Sequence, residues 1–324
     1  MKATHRLLIA LLATAGASAA FAQSSVTLYG RVNTSVERVK SGDQTTTGVY
    51  DNASRWGIRG TEDLGGGLKA GFALESGFDS STGAAAPVFF GRQSEVNLAG
   101  NFGMLRLGRW ISESYFAVAD YGVLDQPNHD TGHVSDQLYQ YVMRDTNKIG
   151  YRTPNFGGFT LDAAVSLHEQ VSGTGGKNAY DLAANWEGGP LAFGGGYTKN
   201  GDISQFGLRG HFTTGPFQIG GYYQRADDKS VTNLGKRNSA RVTGMYAFGA
   251  SEVVLGYGWA GKWSNLADSS ANQLVLGYNY NLSKRTKVYG AYTKVNNKAG
   301  ASYAGVAAAG QDFSTFALGI RHNF

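Results

Sequence analysis

Several short segments of the chain alternate charged residues with apolar ones, so that the charges of each segment share one face. Arg55 and Arg59, for example, alternate with Trp56 and Ile58. The charged residues placed in this way are Arg55, Arg59, Lys69, Glu75, Arg106, Lys148 and Arg152. Guanidinium groups stay charged at any accessible pH. Opposed to carboxylates across a narrow polar passage, they would set up a transverse field and attract anions.

The sequence offers little for catalysis. His129, His133, His168 and His211 are available, but no nucleophile motif surrounds them, and His129-x3-His133 is a weak metal-ligand pair. The glycines of Gly65–Gly67 are not followed by the Lys-Ser/Thr pair that a phosphate-binding loop needs. Without cysteine there is neither thiol chemistry nor a Cys-ligated metal. We therefore predict a protein that is not an enzyme and holds no metal or cofactor.

The composition at first favours a soluble protein. The 324 residues have a mean hydropathy of -0.27. A hydrophobic content of 42% with 12% aromatics is ample for burial and argues against disorder. The 47 glycines show no three-residue period, which excludes collagen. The net charge of +5 is too small to indicate a nucleic-acid partner.

The first residues indicate export from the cytoplasm. Lys2 and Arg6 precede an apolar run that begins at Leu7, and Ala20-Phe21-Ala22 has the small-residue pattern of a cleavage site. We predict a cleaved signal peptide over residues 1–22, which would leave a net charge of about +3. A membrane anchor or a first core helix is the alternative. Beyond residue 23 no apolar run reaches the length of about 18 residues that predicts a transmembrane helix.

Strand-type alternation runs through almost all of the remaining chain. In Gln273–Asn281, the apolar residues Leu274, Leu276, Tyr278 and Tyr280 share one face. Roughly sixteen such segments can be counted, and strands of about ten residues suit a tilted crossing of a bilayer. The pattern predicts an all-β protein, a 16-stranded antiparallel transmembrane β-barrel over residues 23–324.

The connections between these segments alternate in length. Short ones such as Glu62–Gly66 and Thr214–Gly215 would form one rim, and longer polar ones such as Lys40–Tyr50, Gly261–Ser270 and Asn297–Gln311 the other. A soluble β-sandwich or β-propeller is the alternative. The length of the strands and the aromatic residues at the ends of their apolar faces favour the barrel.

Several stretches resemble the Gram-negative porin family of β-proteobacteria. They are Ser25–Gly30, Ser54–Ala70, Leu74–Phe78, Phe90–Gln93, Leu105–Arg109, Tyr151–Phe159, Tyr280–Thr286 and Leu318–Phe324. In the turn motif of Tyr151–Phe159, Thr153 replaces the serine that is usual in the family. The matching stretches follow the order of the family from residue 25 to residue 324, so they are specific as a set.

The resemblance implies a homotrimeric, water-filled pore in the Gram-negative outer membrane, in contact with lipid and lipopolysaccharide. It also implies that the barrel-insertion machinery recognises the C-terminal strand through Phe324. His322 replaces the apolar residue that outer-membrane proteins generally carry at this position.

One long interval, from Trp110 to about Met143, lacks clear alternation and contains neither lysine nor arginine. The resemblance implies that residues 110–145 form the third loop, which folds into the lumen and narrows the pore. A solvated extracellular loop is the alternative. Loops of this length are usually functional or disordered, and the apolar residues of this one argue against disorder.

The resemblance also implies a constriction in which arginines face carboxylates. The matching residues are Arg55, Arg92, Arg152 and Glu75, with a loop acid that is Asp130 or Asp136 and with Asp120 as a further candidate. Arg92 is placed by its motif alone, because its parity matches that of the outward Val96 and Leu98.

The predicted function is that of a general diffusion porin, which lets small hydrophilic solutes and ions pass passively with a modest preference for anions. A substrate-specific channel of the same fold is the alternative within this class. An adhesin, a structural barrel and an outer-membrane enzyme are the alternatives from other classes.

Overall fold

The structure, a computed structural model, describes residues 25–120, 135–142, 145–171, 173 and 175–324. The signal peptide predicted at residues 1–22 and the candidate Asp130 lie outside these ranges. Only the backbone of Asp120 is described.

Most of the described chain is extended, as the alternation predicts. The strands are β1 (Ser25–Ser41), β2 (Gln44–Asp51), β3 (Arg55–Gly65), β4 (Leu68–Gly77), β5 (Gln93–Gly100), β6 (Gly103–Arg109), β7 (Lys148–Arg152), β8 (Phe159–Ser166), β9 (Ala179–Gly188), β10 (Leu191–Asn200), β11 (Ile203–Thr214), β12 (Phe217–Asp228), β13 (Gly235–Phe248), β14 (Ser251–Ala260), β15 (Ala271–Asn281), β16 (Thr286–Asn297) and β17 (Phe313–Asn323). A short helix, α1 (Glu113–Tyr115), continues into a π-helical turn (Phe116–Asp120), and a 3-10 turn covers Tyr303–Gly305. Among the described residues, no helix is long and apolar enough to cross a membrane.

Each strand runs antiparallel to its neighbours, and β1 pairs with β17 to close the sheet into a barrel. Strands β2 and β3 follow one another along the same edge of β1 and are the two halves of one interrupted strand. The interruption falls at Ala53, whose φ of 57° takes the backbone out of the strand conformation. The strands of the described chain therefore occupy sixteen positions, and the predicted sixteen-stranded barrel is confirmed.

The two faces of the barrel differ in polarity. Leu182, Leu208 and Val242 point outward and stay about half exposed, as apolar side chains in contact with lipid would be. Residues of the opposite parity, such as Gln224 and Gln273, are buried inside the barrel. Because the side chains of a strand alternate with a period of two, one sequence pattern serves both surfaces.

The two rims also differ, with one exception to the predicted lengths. Two-residue turns such as 189–190 and 249–250 join strands at one rim, and long connections such as 261–270 and 298–312 join strands at the other. The loop predicted over Lys40–Tyr50 is wrong, because β1 continues to Ser41 and β2 begins at Gln44. Gly42, with a φ of 58°, allows the tight turn between these strands.

Candidate functional site

The inward face of β3 to β8 carries a cluster of ion pairs, which we call the arginine wall. It consists of Arg55, Glu75, Arg92, Glu95, Arg106, Arg152 and Asp162. Glu75 on β4 accepts a hydrogen bond from Nε of Arg92 at 2.5 Å, and Nε of Arg55 lies 3.7 Å from the same carboxylate oxygen. Arg55 and Glu75 reach each other because their strands are neighbours and the two side chains share the inward parity.

Arg92 joins this wall although the alternation of β5 does not predict it. The strand begins at Gln93, so Arg92 stands before the first strand residue and the parity of Val96 does not apply to it. Its backbone nitrogen donates to the carbonyl oxygen of Glu75 at 3.2 Å, which holds the guanidinium group beside the carboxylate of that residue.

A second group of ion pairs lies on the neighbouring strands β5 to β8. Arg106 donates from Nη2 to Oε2 of Glu95 at 2.5 Å, and Arg152 donates from Nε to Oδ1 of Asp162 at 2.6 Å. Glu113 joins the two pairs, since its carboxylate accepts from Nη1 of Arg106 and, at 3.2 Å, from Nη2 of Arg152. It belongs to the segment 110–147 between β6 and β7 rather than to the wall.

The charge state of Glu113 depends on its burial. Burial raises the pKa of this carboxyl above its usual range, and the nearby Asp162 raises it further, while Arg106 and Arg152 act against the rise. A carboxyl with a raised pKa gains its proton at a higher pH than an exposed glutamate does. The negative charge that Glu113 places beside the arginine wall therefore varies with pH.

The segment 110–147 contacts the opposite side of the barrel through two parts, which we call the first limb (110–119) and the second limb (135–142). Ser114 of the first limb hydrogen-bonds Thr198 and also accepts from Nε2 of Gln205 at 2.9 Å. Val118 lies against Gly207, where a Cβ would stand 2.7 Å from its methyl carbon. The glycine thus makes room for the limb.

The second limb is held by glutamine side chains on β11, β12 and β15, which we call the amide wall (Gln205, Gln224 and Gln273). Gln224 donates to the carbonyl oxygen of Gln140 and accepts from its nitrogen, both at 2.8 Å. Gln273 accepts from the nitrogen of Gln137 at 3.0 Å and donates to the carbonyl oxygen of Ser135 at 2.8 Å. A glutamine amide can do both because it carries a donor and an acceptor.

The candidate loop acid Asp136 lies beside the amide wall and away from Arg55, Arg92 and Arg152. It accepts from Nη2 of Arg241 on β13 at 3.0 Å and from the hydroxyl of Tyr222 on β12. The acid of the described segment that meets the arginine wall is Glu113. Glu113 follows Arg106 by only seven residues, so the chain that leaves β6 brings it close to the arginine wall. Asp136 belongs to the second limb, which lies against the amide wall.

The remaining basic candidates are not part of the arginine wall. Arg59 is exposed, with its guanidinium carbon 5.1 Å from the centre of the Tyr29 ring. Lys69 stands opposite Asp63 beside the turn between β3 and β4. Lys148 is buried behind the first limb, where its ammonium group donates to the carbonyl oxygen of Trp110 at 3.3 Å.

A cavity of about 840 Å³ lies between the arginine wall and the first limb. Its lining includes Arg55, Arg92, Arg152, Glu75, Glu113 and Phe116. The side chains of Arg152 and Arg92 are 41% and 35% exposed, whereas those of Asp162, Glu113 and Glu75 are 3%, 7% and 14% exposed. The guanidinium groups of Arg92 and Arg152 are thus more exposed to the cavity than the carboxylates that pair with them, whereas the side chains of Arg55 and Arg106 are only 18% and 10% exposed.

Alternation could have found three acids that the sequence prediction left out. Asp162 and Asp181 stand on the inward parity of their strands between outward apolar neighbours, and Glu95 stands on the inward parity beside the outward Val96. For Glu113 the sequence carries a weaker signal, which is its position as the first acid after β6 ends.

The chain is similar to known porins over nearly its whole length. The family model of the Gram-negative porins matches residues 8–300. Outer membrane porin protein 32 of Delftia acidovorans is 36% identical over an alignment of 369 residues, which covers 98% of this chain and 99% of that protein. An outer membrane porin protein of Bordetella pertussis is 30% identical, with 98% of this chain and 99% of that protein covered.

The same similarity extends to solved structures. The anion-selective porin from Comamonas acidovorans matches with a TM-score of 0.74 at 29% identity, over 93% of this chain and 100% of that chain. A Salmonella typhi OmpF structure matches with a TM-score of 0.72 over 92% of this chain and 97% of that one. At 16% identity this second likeness concerns the fold alone.

Proposed function

The chain belongs to the Gram-negative porin family, and on this premise we propose that it is a general diffusion porin with a modest preference for anions. It is an outer-membrane protein, and its relatives are outer membrane porins. Small hydrophilic solutes and ions would pass through the barrel by passive diffusion. The anion-selective porin of Comamonas acidovorans supports the preference for anions.

The observation that carries the anion preference is the unequal exposure of the two charge types in the arginine wall. Arg92 and Arg152 reach into the cavity, while Glu75 and Asp162 are recessed behind them. An ion in the cavity meets the guanidinium groups at shorter range than the carboxylates, and Coulomb energy falls with distance. The local potential is therefore more positive than the near balance of charges suggests.

The constriction would lie between the arginine wall and the first limb. The contacts of both limbs with inward side chains support this role for the segment 110–147, of which residues 110–145 were the predicted loop. In this proposal the positive side of the constriction consists of Arg55, Arg92, Arg106 and Arg152. The negative charges of Glu75 and Glu113 reduce its positive potential. Arg59 and Lys69 would act only as more distant charges.

The remaining parts of the proposal rest on the family. They are an export signal over residues 1–22, assembly as a homotrimer, contact with lipopolysaccharide, and recognition of the strand that ends at Phe324 by the barrel-insertion machinery. Hydrogen bonds of 3.1 Å join the backbone nitrogen and carbonyl oxygen of Phe324 to those of Gly30.

Reversal potentials in a planar bilayer under a KCl gradient test the selectivity. We expect a potential whose sign reports chloride passing more readily than potassium, and a preference for potassium would contradict the proposal. Swelling of liposomes in small neutral sugars separates a general porin from an adhesin or a structural barrel, which would give no swelling. A rate that depends strongly on the identity of the sugar at equal size would indicate a substrate-specific channel instead.

A further inference from the structure

A buried carboxylate on the barrel wall holds the start of the first limb. Asp181, on the inward face of β9, accepts from the backbone nitrogen of Glu113 at 2.7 Å and from that of Ser114 at 3.1 Å. The hydroxyl of Ser112 donates to the same carboxylate at 3.1 Å. Three donors from three consecutive residues therefore meet one side chain.

The surroundings of Asp181 hold its carboxylate in place. The ammonium group of Lys148 lies 3.6 Å from one of its oxygens, and the hydroxyl of Thr198 donates to the other at 3.3 Å. A carboxylate is an acceptor at both oxygens, so it can serve several donors at once. An asparagine of the same shape would turn an N–H group toward some of these donors and could not hold the limb in the same way.

The backbone that Asp181 holds carries the acid that meets the arginine wall. The nitrogen of Glu113 is bound to Asp181, while the carboxylate of Glu113 joins Arg106 and Arg152. One short stretch of chain thus connects β9 with the arginine pairs on β6 and β7. Displacing the backbone of Glu113 would withdraw its negative charge from both arginines.

The neighbouring strand β10 also lies directly against this stretch, on the same inward face as Asp181. Gly196 of β10 faces Ser114, and a Cβ built on Gly196 would overlap the Cβ of Ser114. The backbone at Gly196 is in an ordinary strand conformation, so alanine is opposed there mainly by Ser114 and, at 3.2 Å, by the carbonyl oxygen of Leu182. The limb therefore packs closely on a glycine of the barrel wall beside the carboxylate that anchors it.

We propose that Asp181 is a positioning residue that sets the ion selectivity of the pore by holding Glu113 between Arg106 and Arg152. The inference rests on the proposed porin function. Asp181 itself acts through the backbone of the first limb, and its own charge is offset by Lys148. Loss of this anchor frees the guanidinium groups of Arg106 and Arg152 from Glu113 and increases the preference for anions.

The first test compares Asp181→Asn with Glu113→Gln and with the double variant, using the permeability ratio of chloride to potassium. Each single variant is expected to raise the ratio roughly twofold, the size expected of a screened ion-pair contribution. In the double variant, Asp181→Asn should add to Glu113→Gln no more than the loss of one inward negative charge, as measured with Glu252→Gln, because the acid it positions is already neutral. Two independent, additive effects would overturn the inference.

Glu252→Gln is the matched control for loss of one negative charge inside the barrel. Glu252 faces inward on β14. It accepts hydrogen bonds from Asn279 and Asn281 and forms an ion pair with Lys287, and all three of these residues lie on barrel strands. A rise in the ratio as large as that of Asp181→Asn would mean that charge alone, without positioning, explains the result.

Gly196→Ala displaces the same stretch of the first limb without changing any charge. It replaces Asp181→Asn in the test if that variant does not fold. Folding is checked by circular dichroism and by the heat-dependent shift of the barrel on gels. Gly196→Ala is expected to raise the ratio in the wild-type chain and to leave it unchanged in the Glu113→Gln chain. No change in the wild-type chain would overturn the inference.

The outcomes also separate this inference from the proposed function. A wild-type chain that prefers potassium, or one that does not respond to Glu113→Gln, contradicts the proposed constriction. A wild-type chain that prefers chloride and responds to Glu113→Gln but not to Gly196→Ala or Asp181→Asn contradicts the positioning role alone.

Discussion

The arginine wall and the amide wall line the same barrel but differ in what covers them. Gln224 and Gln273 are buried beneath the second limb, and their amides hydrogen-bond its backbone. Arg92 and Arg152 keep a large part of their side chains open to the cavity. One wall therefore supports the segment, and the other borders open space.

This difference shows how a porin can divide two tasks between its inner faces. A neutral amide is well suited to hold a backbone, since it provides a donor and an acceptor without the cost of burying a charge. Charged groups act on passing ions only where they remain near the solution. In this chain the amides lie beneath the second limb and the exposed arginines border the cavity. Asp136 and Arg241 form one buried ion pair beside the amides.

The largest expected effect on ion selectivity comes from reversing charges of the arginine wall. In the double variant Arg92→Glu and Arg152→Glu, four unit charges change in the cavity, and we expect selectivity to turn from chloride to potassium with a change in permeability ratio of about tenfold or more. The measurement is the reversal potential in a KCl gradient. Arg225→Glu, on the outward face of β12, is the control and should leave the ratio unchanged.

The next effect comes from removing the amides that hold the second limb. Gln224→Ala and Gln273→Ala together leave backbone groups of Gln137 and Gln140 without partners, at a cost of roughly 1–3 kcal/mol for each buried group. We expect a larger and noisier single-channel current and faster proteolysis within 110–147, with a smaller change in selectivity than the arginine variants give. Gln218→Ala, on the same face of β12, is the control.

A current as quiet as that of the wild type in this double variant would show that the amide wall does not support the segment. A change in selectivity as large as that of the arginine variants would show that the two walls do not divide their tasks as described.

A third prediction concerns pH, because the arginine wall contacts the titratable carboxyl of Glu113 whereas the glutamines of the amide wall are neutral. Because the pKa of Glu113 is raised by burial, lowering the pH from neutral should protonate Glu113 before exposed glutamates. Loss of this negative charge leaves Arg106 and Arg152 less compensated, so the preference for chloride should rise as the pH falls. Reversal potentials across a pH series measure the effect.

Glu113→Gln should remove the part of this pH dependence that Glu113 causes. Burial also raises the pKa of Asp145, so a smaller dependence of the same sign should remain in that variant. An unchanged pH profile in Glu113→Gln would assign the titration to another group.

The smallest expected effect is that of Arg59→Gln combined with Lys69→Gln. Arg59 lies four residues along β3 from Arg55, about 13 Å at the rise of an extended strand, and Lys69 lies beside the turn. At such distances salt screens most of the interaction with ions in the constriction. The permeability ratio should change by less than a factor of about two. A change as large as that of Glu113→Gln would mean that the arginine wall extends toward this rim.

Sequence alternation predicted the barrel and most of the inward charges because the pleat of a strand fixes side-chain direction locally. Arg55, Glu75 and Arg106 follow from this period, and Asp162 and Asp181 could have followed as well. Arg92 does not, since it precedes its strand.

The contacts of the segment 110–147 lay beyond such reasoning. Gln137 and Gln273 are 136 residues apart in the chain, and no local pattern states that they meet. The partners of the acids in this segment lay beyond it for the same reason: the second limb takes Asp136 to Arg241, and the first limb takes Glu113 to Arg106.

The pairing of β1 with β17 has a consequence for the order in which the molecule forms. Glu37 and Thr315 meet across this seam, although 278 residues separate them in the chain. Every other neighbouring pair of strands can form as soon as its two members exist, but this pair must wait until nearly the whole chain is available. Until then both outer strands present unpaired backbone groups, which are templates for mispairing and costly in lipid. A chaperone or an insertion factor would therefore matter most before β1 and β17 have paired.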